Sequence, residues 1–110
     1  MKTSMVPRDH VSVVWDRIEK YAEGCAKYTY GRFTAKDILE GLLTKNQQLW
    51  IAFDDKGIYA FWVTEISDYP QKRALLMHFV GGKNIKAWGK IGLKQLQKFA
   101  RDTGCTTIES

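Results

Sequence analysis

The chain has 110 residues, of which 45% are hydrophobic and 13% aromatic, and carries 17 Lys and Arg against 12 Asp and Glu. This length fits a single domain over residues 1–110, and the composition excludes a disordered or collagen-like chain. Because the sequence has neither an export signal at its start nor an apolar run of the roughly 20 residues that a membrane span needs, we expect a cytoplasmic protein without a membrane partner.

The few cysteines and histidines limit the chemistry of a site. Cys25 and Cys105 lie far apart without Cys-x-x-Cys spacing. Free thiols in a reducing compartment are expected, and a disulfide between the two is the alternative. The imidazoles are those of His10 and His78. They are too few for the usual zinc sites, so no metal is expected.

The first half of the chain predicts two amphipathic helices. Apolar residues recur at three- and four-residue steps from Val11 to Cys25, and Asp9 is placed to cap this first helix. The stretch TAKD makes Thr34 and Asp37 a capping box before a second, shorter apolar stripe. An aromatic segment, KYTYGRFT, forms the loop between them.

From Gln47 onward the pattern changes to strands. The runs QQLWIAF and IYAFWVTEI flank the turn DDKG, which predicts an antiparallel hairpin. RALLMHFV is apolar on both faces, which is typical of a central strand. A long helix follows, and CTTIE is the last strand. This β-α-β unit makes its two strands parallel neighbours. The predicted fold class is α/β with a mixed central sheet and the order α-α-β-β-β-α-β.

The last third of the chain, HFVGGKNIKAWGKIGLKQLQKFARDTGC, carries a resemblance to a known family. The segment LKQLQKFARDTGCTTIE is similar to the cofactor helix and following strand of the GCN5-related N-acetyltransferase (GNAT) family, which has the acyl-CoA N-acyltransferase fold. The family's Q/R-x-x-G-x-G/A loop then falls on residues 84–89. Gly89 matches the final position, Ala87 replaces a glycine, and Asn84 replaces glutamine or arginine but can still cap the helix.

The resemblance implies that acetyl-coenzyme A (acetyl-CoA) is the cofactor. Backbone N–H groups of the loop and helix would hold its pyrophosphate, and the preceding strand would offer backbone groups to its pantetheine arm. The implied cofactor-binding residues are Met77, Phe79, Asn84, Ile85, Lys86, Ala87, Trp88 and Gly89. We expect Gly81, Gly82 and Lys83 to form the turn of this cradle, although the glycines fit an ordinary turn as well.

Family members continue beyond this point into a further helix and a β-hairpin that form one wall of the acceptor pocket. The resemblance therefore implies that the C-terminal hairpin is missing or reduced in this chain, which ends at Ser110. Short proteins of this shape look like those carried by tailed phages. That origin would place the protein in a phage-infected host cell or in the virion.

Transfer of acetyl to an amine needs a group that accepts a proton. Glu65 and His78 are the candidate catalytic residues. Each also fits a structural role, Glu65 as a solvated strand end and His78 as a satisfied core residue. In the family the loop between the first two helices borders the acceptor site, which makes a substrate loop of Tyr28, Tyr30, Arg32 and Phe33. These side chains fit equally well as packing over the rim of the core.

Lysines mark one face of the long helix. Lys86, Lys90, Lys94 and Lys98 recur every four residues, and every charged residue from Lys83 to Arg101 is basic. The row is either a solvated surface or a binding face for an anion, such as nucleic acid or the 3′-phosphate of coenzyme A. Three hypotheses result: acetyl-CoA binding with transfer to an amine, a non-catalytic phage structural or accessory protein that keeps the fold, and nucleic-acid binding.

Overall fold

The computed structural model describes residues 1–110 and shows a five-stranded mixed sheet with helices on both faces. Short 3₁₀ turns at Arg8–His10 and Lys27–Thr29 flank the first helix. The elements, in chain order, are β1 (Lys2–Val6), α1 (Val11–Ala26), α2 (Ala35–Thr44), β2 (Gln47–Asp54), β3 (Gly57–Asp68), β4 (Arg73–Gly82), α3 (Ile85–Asp102) and β5 (Thr107–Glu109). The predicted α/β class is confirmed, and so are the elements from α1 to β5.

One strand precedes the predicted elements. β1 pairs antiparallel with β2, from Lys2 opposite Phe53 to Val6 opposite Leu49. Of its five residues only Val6 is buried. An edge strand with so little burial shows no apolar alternation, so the sequence pattern did not reveal it. The corrected order is β-α-α-β-β-β-α-β.

The sheet follows the chain, in the order β1-β2-β3-β4-β5. The pairs from β1 to β4 are antiparallel, and β4 pairs with β5 in parallel from Ala74 opposite Thr107 to Leu76 opposite Glu109. The parallel β-α-β unit predicted for the end of the chain is therefore confirmed. Its first strand, β4, lies between β3 and β5 and is the strand around which both candidate sites form.

Each face of the sheet has its own core. Helices α1 and α2 cover one face, where Ile18 and Leu42 pack against Phe61 of β3. Helix α3 covers the other face, where Trp88 and Leu96 pack against strand residues such as Trp62. Alternation along β3 sends neighbouring side chains to opposite faces. Each of these large apolar side chains contributes about 1.5–3 kcal/mol by leaving water.

Of the two helices in the first half of the chain, α2 starts with the predicted cap and α1 does not. Thr34 and Asp37 form the predicted capping box, in which the Asp37 N–H donates to Thr34 Oγ1 at 3.2 Å and the Thr34 N–H to Asp37 Oδ2 at 2.9 Å. The predicted cap of α1 is wrong. Asp9 lies within the preceding 3₁₀ turn, and α1 begins at Val11 without a side-chain cap.

Two further properties bear on the expectations drawn from composition. Cys25, partly buried, and Cys105, buried, are both free thiols. None of the helices combines the length and the apolar character needed to pass through a bilayer.

Candidate active site

The first candidate region forms at an irregularity in β4. Val63 pairs with Phe79, but the next residue of β3, Thr64, pairs with Met77, so His78 is an extra residue in β4. Such a β-bulge breaks the alternation of side chains along a strand. Met77 packs with the α3 core and Phe79 with the α1–α2 core, while the His78 ring lies 6.0 Å from the Phe79 ring.

The bulge brings His78 next to Glu65 of β3. His78 Nε2 lies 3.0 Å from Glu65 Oε1, and the Gln47 side-chain amide donates to the same oxygen at 2.7 Å. The His78 and Glu65 side chains are 33% and 27% exposed, so both are held in place and accessible from solvent. A carboxylate can only accept hydrogen bonds. Ionised Glu65 therefore keeps a proton on His78 Nε2 and leaves the lone pair of Nδ1 available.

These side chains open into a pocket of about 340 Å³. The loop between α1 and α2 forms its opposite wall. Phe33 in this loop packs edge-on against Phe79, with ring centroids 5.1 Å apart, and its N–H donates to Thr29 Oγ1 at 3.1 Å. The loop is thus fixed against β4. The other side chains that line the pocket include Tyr28, Arg32 and Lys45.

The predicted substrate loop is only partly assembled at this pocket. Tyr28, Arg32 and Phe33 line it together with Glu65 and His78. Tyr30 does not. It adopts the left-handed conformation with φ of 55° and is followed by Gly31 at φ of 81°. These consecutive left-handed residues turn Tyr30 outward, where it is 93% exposed.

The second candidate region is the connection from β4 to α3. The predicted glycine turn is wrong, because β4 continues through Gly82, and Gly81 and Gly82 pair with Phe61 and Ala60 of β3. A Cβ on Gly82 would lie only 2.5 Å from the Cα of Ala60. The neighbouring strand therefore requires Gly82 to be small, independently of any phosphate.

Helix α3 begins at Ile85 with an uncapped end. Asn84 adopts the left-handed conformation, φ 62°, and its side chain makes no capping hydrogen bond, so the predicted cap is wrong. The Ala87 N–H donates to the Asn84 carbonyl at 2.8 Å. The N–H groups of Ile85 and Lys86 have no acceptor within the helix. Free amides at a helix start, together with the helix dipole, favour an anion there.

Trp88 anchors this connection from inside. Its indole is 7% exposed and stacks on Trp62, with ring centroids 4.7 Å apart, and its Nε1–H donates to the Lys83 carbonyl at 2.9 Å. The outer side of the first turn stays open. A Cβ on Gly89 would meet only Ile85 Cγ1, at 3.5 Å. The residues of this connection therefore fit the diphosphate group that the resemblance implies.

An apolar cavity of about 180 Å³ adjoins this helix start, between β4 and α3. Met77, Val80 and Gly89 belong to its lining. β5 pairs with β4 only as far as Leu76. The β4 backbone from Met77 onward therefore has no partner strand on that edge, and this is the stretch expected to face a pantetheine arm.

Solved structures share this architecture. A probable acetyltransferase matches with a TM-score of 0.71 over 100% of this chain and 79% of its own, at 16% identity. A ribosomal-protein-alanine N-acetyltransferase from Brucella melitensis biovar Abortus 2308 matches with 0.69 over 99% and 78%, at 11% identity. An aminoglycoside acetyltransferase from an uncultured soil metagenomic sample, in complex with sisomicin, matches with 0.70 over 99% and 76%, at 12% identity.

The chain has the GNAT fold. The match extends over its whole length, which confirms the fold that the last third of the sequence resembled. No protein-family model matches the sequence, and no curated protein does. Because sequence identity to the solved structures is low, the roles of individual residues in this GNAT fold have to be argued from their own contacts.

Three polar residues of the GNAT-fold pocket, Thr29, Lys45 and Gln47, were not predicted. Gln47 positions Glu65, and Lys45 supplies a positive charge to the lining. Gln47 faces Glu65 because β2 and β3 pair with a bulge between Ala52 and Phe53. Counting back from the hairpin turn without that bulge would place Gln47 opposite Thr64. The sequence therefore contains the hairpin signal but not the register.

The lysine row lies on the outer face of α3. Lys86, Lys90 and Lys94 are exposed and have no carboxylate within 4.0 Å, whereas Lys98 Nζ lies 2.6 Å from Asp102. Three free positive charges thus remain on this face. Nowhere do three or more His, Cys, Asp or Glu side chains cluster closely enough to hold a metal ion.

Proposed function

We propose that the protein binds acetyl-CoA and transfers its acetyl group to an amine. The observation that carries this proposal is the bulge in β4, which places the hydrogen-bonded Glu65–His78 pair in a solvent-accessible pocket. The same strand presents an unpaired edge from Met77 and ends at an uncapped helix start. The residues proposed to accept the proton and those proposed to hold the acetyl donor thus lie along one strand.

The cofactor would be held mainly by backbone groups. The free N–H groups of Ile85 and Lys86 would bind the diphosphate, and the small Gly89 leaves room for it. The β4 backbone at Met77 and Phe79 would bind the pantetheine arm. When bound, acetyl-CoA would supply the thioester carbonyl carbon: the C–N bond to the amine forms, the C–S bond breaks, and coenzyme A leaves as a thiolate that takes up a proton to become the free thiol.

An alkyl amine is mostly protonated at neutral pH and must lose a proton to become a nucleophile. His78 Nδ1 would accept this proton, directly or through a water molecule. Glu65 would keep the imidazole in the required tautomer and stabilise the imidazolium that forms. Gln47 would hold Glu65 in position.

Calorimetry and a thiol-release assay test the proposal together. We expect acetyl-CoA to bind equally well to wild type, Glu65→Gln and His78→Gln. Transfer to an amine should fall by about 10²–10⁴-fold in both variants, the usual contribution of a general base. Glu23→Gln and His10→Gln are matched controls, because they remove the same chemistry at exposed positions outside the pocket.

Two outcomes count against this function. Absence of binding at millimolar acetyl-CoA would refute it. Binding without transfer to any amine by the wild type would instead support a non-catalytic protein that keeps the fold.

The lysine row supports a second candidate function, binding of nucleic acid. Its basis is the exposure of Lys86, Lys90 and Lys94 without acidic partners. Affinity should then fall by about 0.9 logarithmic units per phosphate contact for each tenfold rise in salt. Replacing all three lysines with Gln should flatten this slope. The control replaces Lys2, Lys27 and Lys36 in the same way. A slope near zero in the wild type excludes this function.

A further inference from the structure

The pocket that Glu65 and His78 line, where the amine is proposed to bind, is called the acceptor pocket here. Its lining carries more positive than negative charge. Arg32 and Lys45 both line it, and neither forms a salt bridge with a carboxylate of the protein. Glu65 is the acidic residue of the lining, and its Oε1 already binds Gln47 and His78. The free charges that a ligand would meet are therefore cationic.

Both cationic side chains extend from fixed backbone positions. The Arg32 N–H donates to the Thr29 carbonyl at 3.2 Å. The Lys45 N–H donates to the Gly41 carbonyl at 2.9 Å, and the Lys45 carbonyl accepts from the Arg8 guanidinium at 2.6 Å. The backbone at both residues is therefore held by the fold, so the two side chains extend from defined points at the rim of the pocket.

Acidic side chains on α2 form no salt bridge with this pair. Asp37 and Glu40 line an adjoining hollow that Arg32 and Lys45 also border. Neither carboxylate comes within 4.0 Å of a cationic nitrogen in a salt bridge. Asp37 is instead committed to the N–H of Thr34 in the capping box.

The rest of the lining is largely aromatic, with the rings of Tyr28, Phe33 and Phe79. Such rings favour an apolar body on the ligand. A guanidinium binds a carboxylate through paired hydrogen bonds, and an ammonium adds a point charge. We propose that the acceptor is an amine that also carries a carboxylate and an apolar side chain, with the carboxylate bound by Arg32 and Lys45.

The amine part of this assignment rests on the proposed acetyl transfer, whereas the carboxylate part rests on the pocket alone. A volume of about 340 Å³ suits an amino acid or the end of a short peptide. Polycationic amines are disfavoured, because two like charges would face them in the pocket.

Matched amines test the assignment. L-phenylalanine, L-phenylalaninamide and 2-phenylethylamine share a ring and an amine, and only the first carries a carboxylate. For each we would measure kcat/KM with acetyl-CoA and, separately, binding by amide chemical-shift changes in residues 28–33. Phenylalanine should be preferred in both measurements. Spermidine, a polycation, should be the poorest acceptor.

Variants separate the pocket's contribution from the intrinsic reactivity of each amine. The ratio of kcat/KM for phenylalanine to kcat/KM for phenylalaninamide should fall about tenfold when Arg32→Gln and Lys45→Gln are combined. Each exposed charge should contribute a few-fold. Arg32→Lys should retain part of the preference. Arg17→Gln and Lys36→Gln remove the same charges outside the pocket and should leave the ratio unchanged.

The two measurements distinguish the possible failures. If acetyl-CoA does not bind but phenylalanine still shifts residues 28–33 more strongly than its amide, the proposed function fails and the anion site stands. If acetyl is transferred with the same kcat/KM to phenylalanine and to phenylalaninamide, or if spermidine is the preferred acceptor, the carboxylate assignment is overturned and acetyl transfer stands. If residues 28–33 respond to none of the amines and no transfer occurs, both are overturned.

Discussion

The two candidate regions lie on opposite sides of β4 and are held by different forces. On the α3 side, the buried Trp62–Trp88 stack fixes the connection from β4 to α3, where the cofactor is proposed to bind, through the carbonyl of Lys83. On the acceptor side, Glu65 and His78 are held by hydrogen bonds in a partly exposed pocket. The first arrangement depends on core packing, and the second depends on strand register.

This difference has a consequence for the effects of mutation. A change on the α3 side should affect stability and cofactor binding together, because the same tryptophan serves both. A change in the acceptor pocket should affect chemistry with little effect on stability. The two sides of one strand are thus expected to be coupled to the fold to different degrees.

The largest effect is expected for Trp88→Ala. Removing this buried indole leaves a cavity against Trp62 and should cost about 3–5 kcal/mol of the free energy of unfolding. It also releases the Lys83 carbonyl, so acetyl-CoA affinity should fall in the fraction that remains folded. Urea denaturation gives the first quantity and calorimetry the second.

Trp88→Phe is the milder test of the same coupling. It keeps an aromatic ring but loses the Nε1–H that donates to Lys83. Because one hydrogen bond and part of the stack are lost, a cost of about 1–2 kcal/mol is expected, with weaker cofactor binding. Unchanged stability together with unchanged binding would mean that the connection is not anchored through Trp88.

The next largest difference in stability is expected between two glycine substitutions near α3. Gly82→Ala should destabilise the protein by about 2–3 kcal/mol, because the new Cβ would overlap Ala60 and the backbone has φ of 117°. Gly89→Ala should stabilise it by about 0.5–1 kcal/mol, because Cβ space is open and alanine favours the helix. Thermal unfolding measures both changes.

Gly104→Ala serves as the control for this pair. Gly104 has φ of 78° but no atom within 4 Å of the added Cβ, so it isolates backbone strain, worth about 1–2 kcal/mol. If Gly82→Ala lowers the free energy of unfolding by no more than Gly104→Ala does, the close approach of β3 is not the reason that position 82 is a glycine.

Much of the fold could be predicted because its signals are local. The capping box at Thr34 and the hairpin turn DDKG act over a few residues, and the β-α-β unit follows from a short connection. The connection from β4 to α3 is also predicted at the right place in the chain, since strand, loop and helix lengths agree with the family. What failed there was detail of backbone conformation, such as the left-handed Asn84 and the continuation of β4 through Gly82.

The acceptor pocket could be predicted only as separate residues. Residue type predicts Glu65 and His78 as separate candidates, and no sequence signal predicts their contact, because that contact depends on a bulge that inserts one residue. The roles of Gln47 and Lys45 likewise depend on register and loop packing. β1 is not predicted for a different reason, since an exposed edge strand has almost no hydrophobic pattern.

A smaller effect on stability is expected in the acceptor pocket. Glu65→Gln and His78→Gln should each change the free energy of unfolding by no more than about 1 kcal/mol, because the pair is partly exposed and isosteric or near-isosteric replacements keep its packing. Urea denaturation of both variants measures this. A loss of about 3 kcal/mol in either would show that the pair supports the fold, and the contrast between the two sides would disappear.

The smallest effect is expected at Cys25, on the α1 side of β4. This residue lies in α1 and packs with the α1–α2 core, and burial raises the pKa of its thiol above the ordinary value, while the backbone of Val80 in β4 lowers it by less. Since only the thiolate reacts, Cys25 in a Cys105→Ala background should react a few-fold more slowly with a thiol reagent at pH 8 than free cysteine does, and faster as pH rises. If the Glu65–His78 pair does not affect the packing around β4, His78→Gln should leave the reaction rate of Cys25 unchanged. If Cys25 reacts as fast as free cysteine, α1 does not hold the Cys25 thiol against β4. Helix α1 would then be attached to this strand more loosely than the burial of Cys25 indicates.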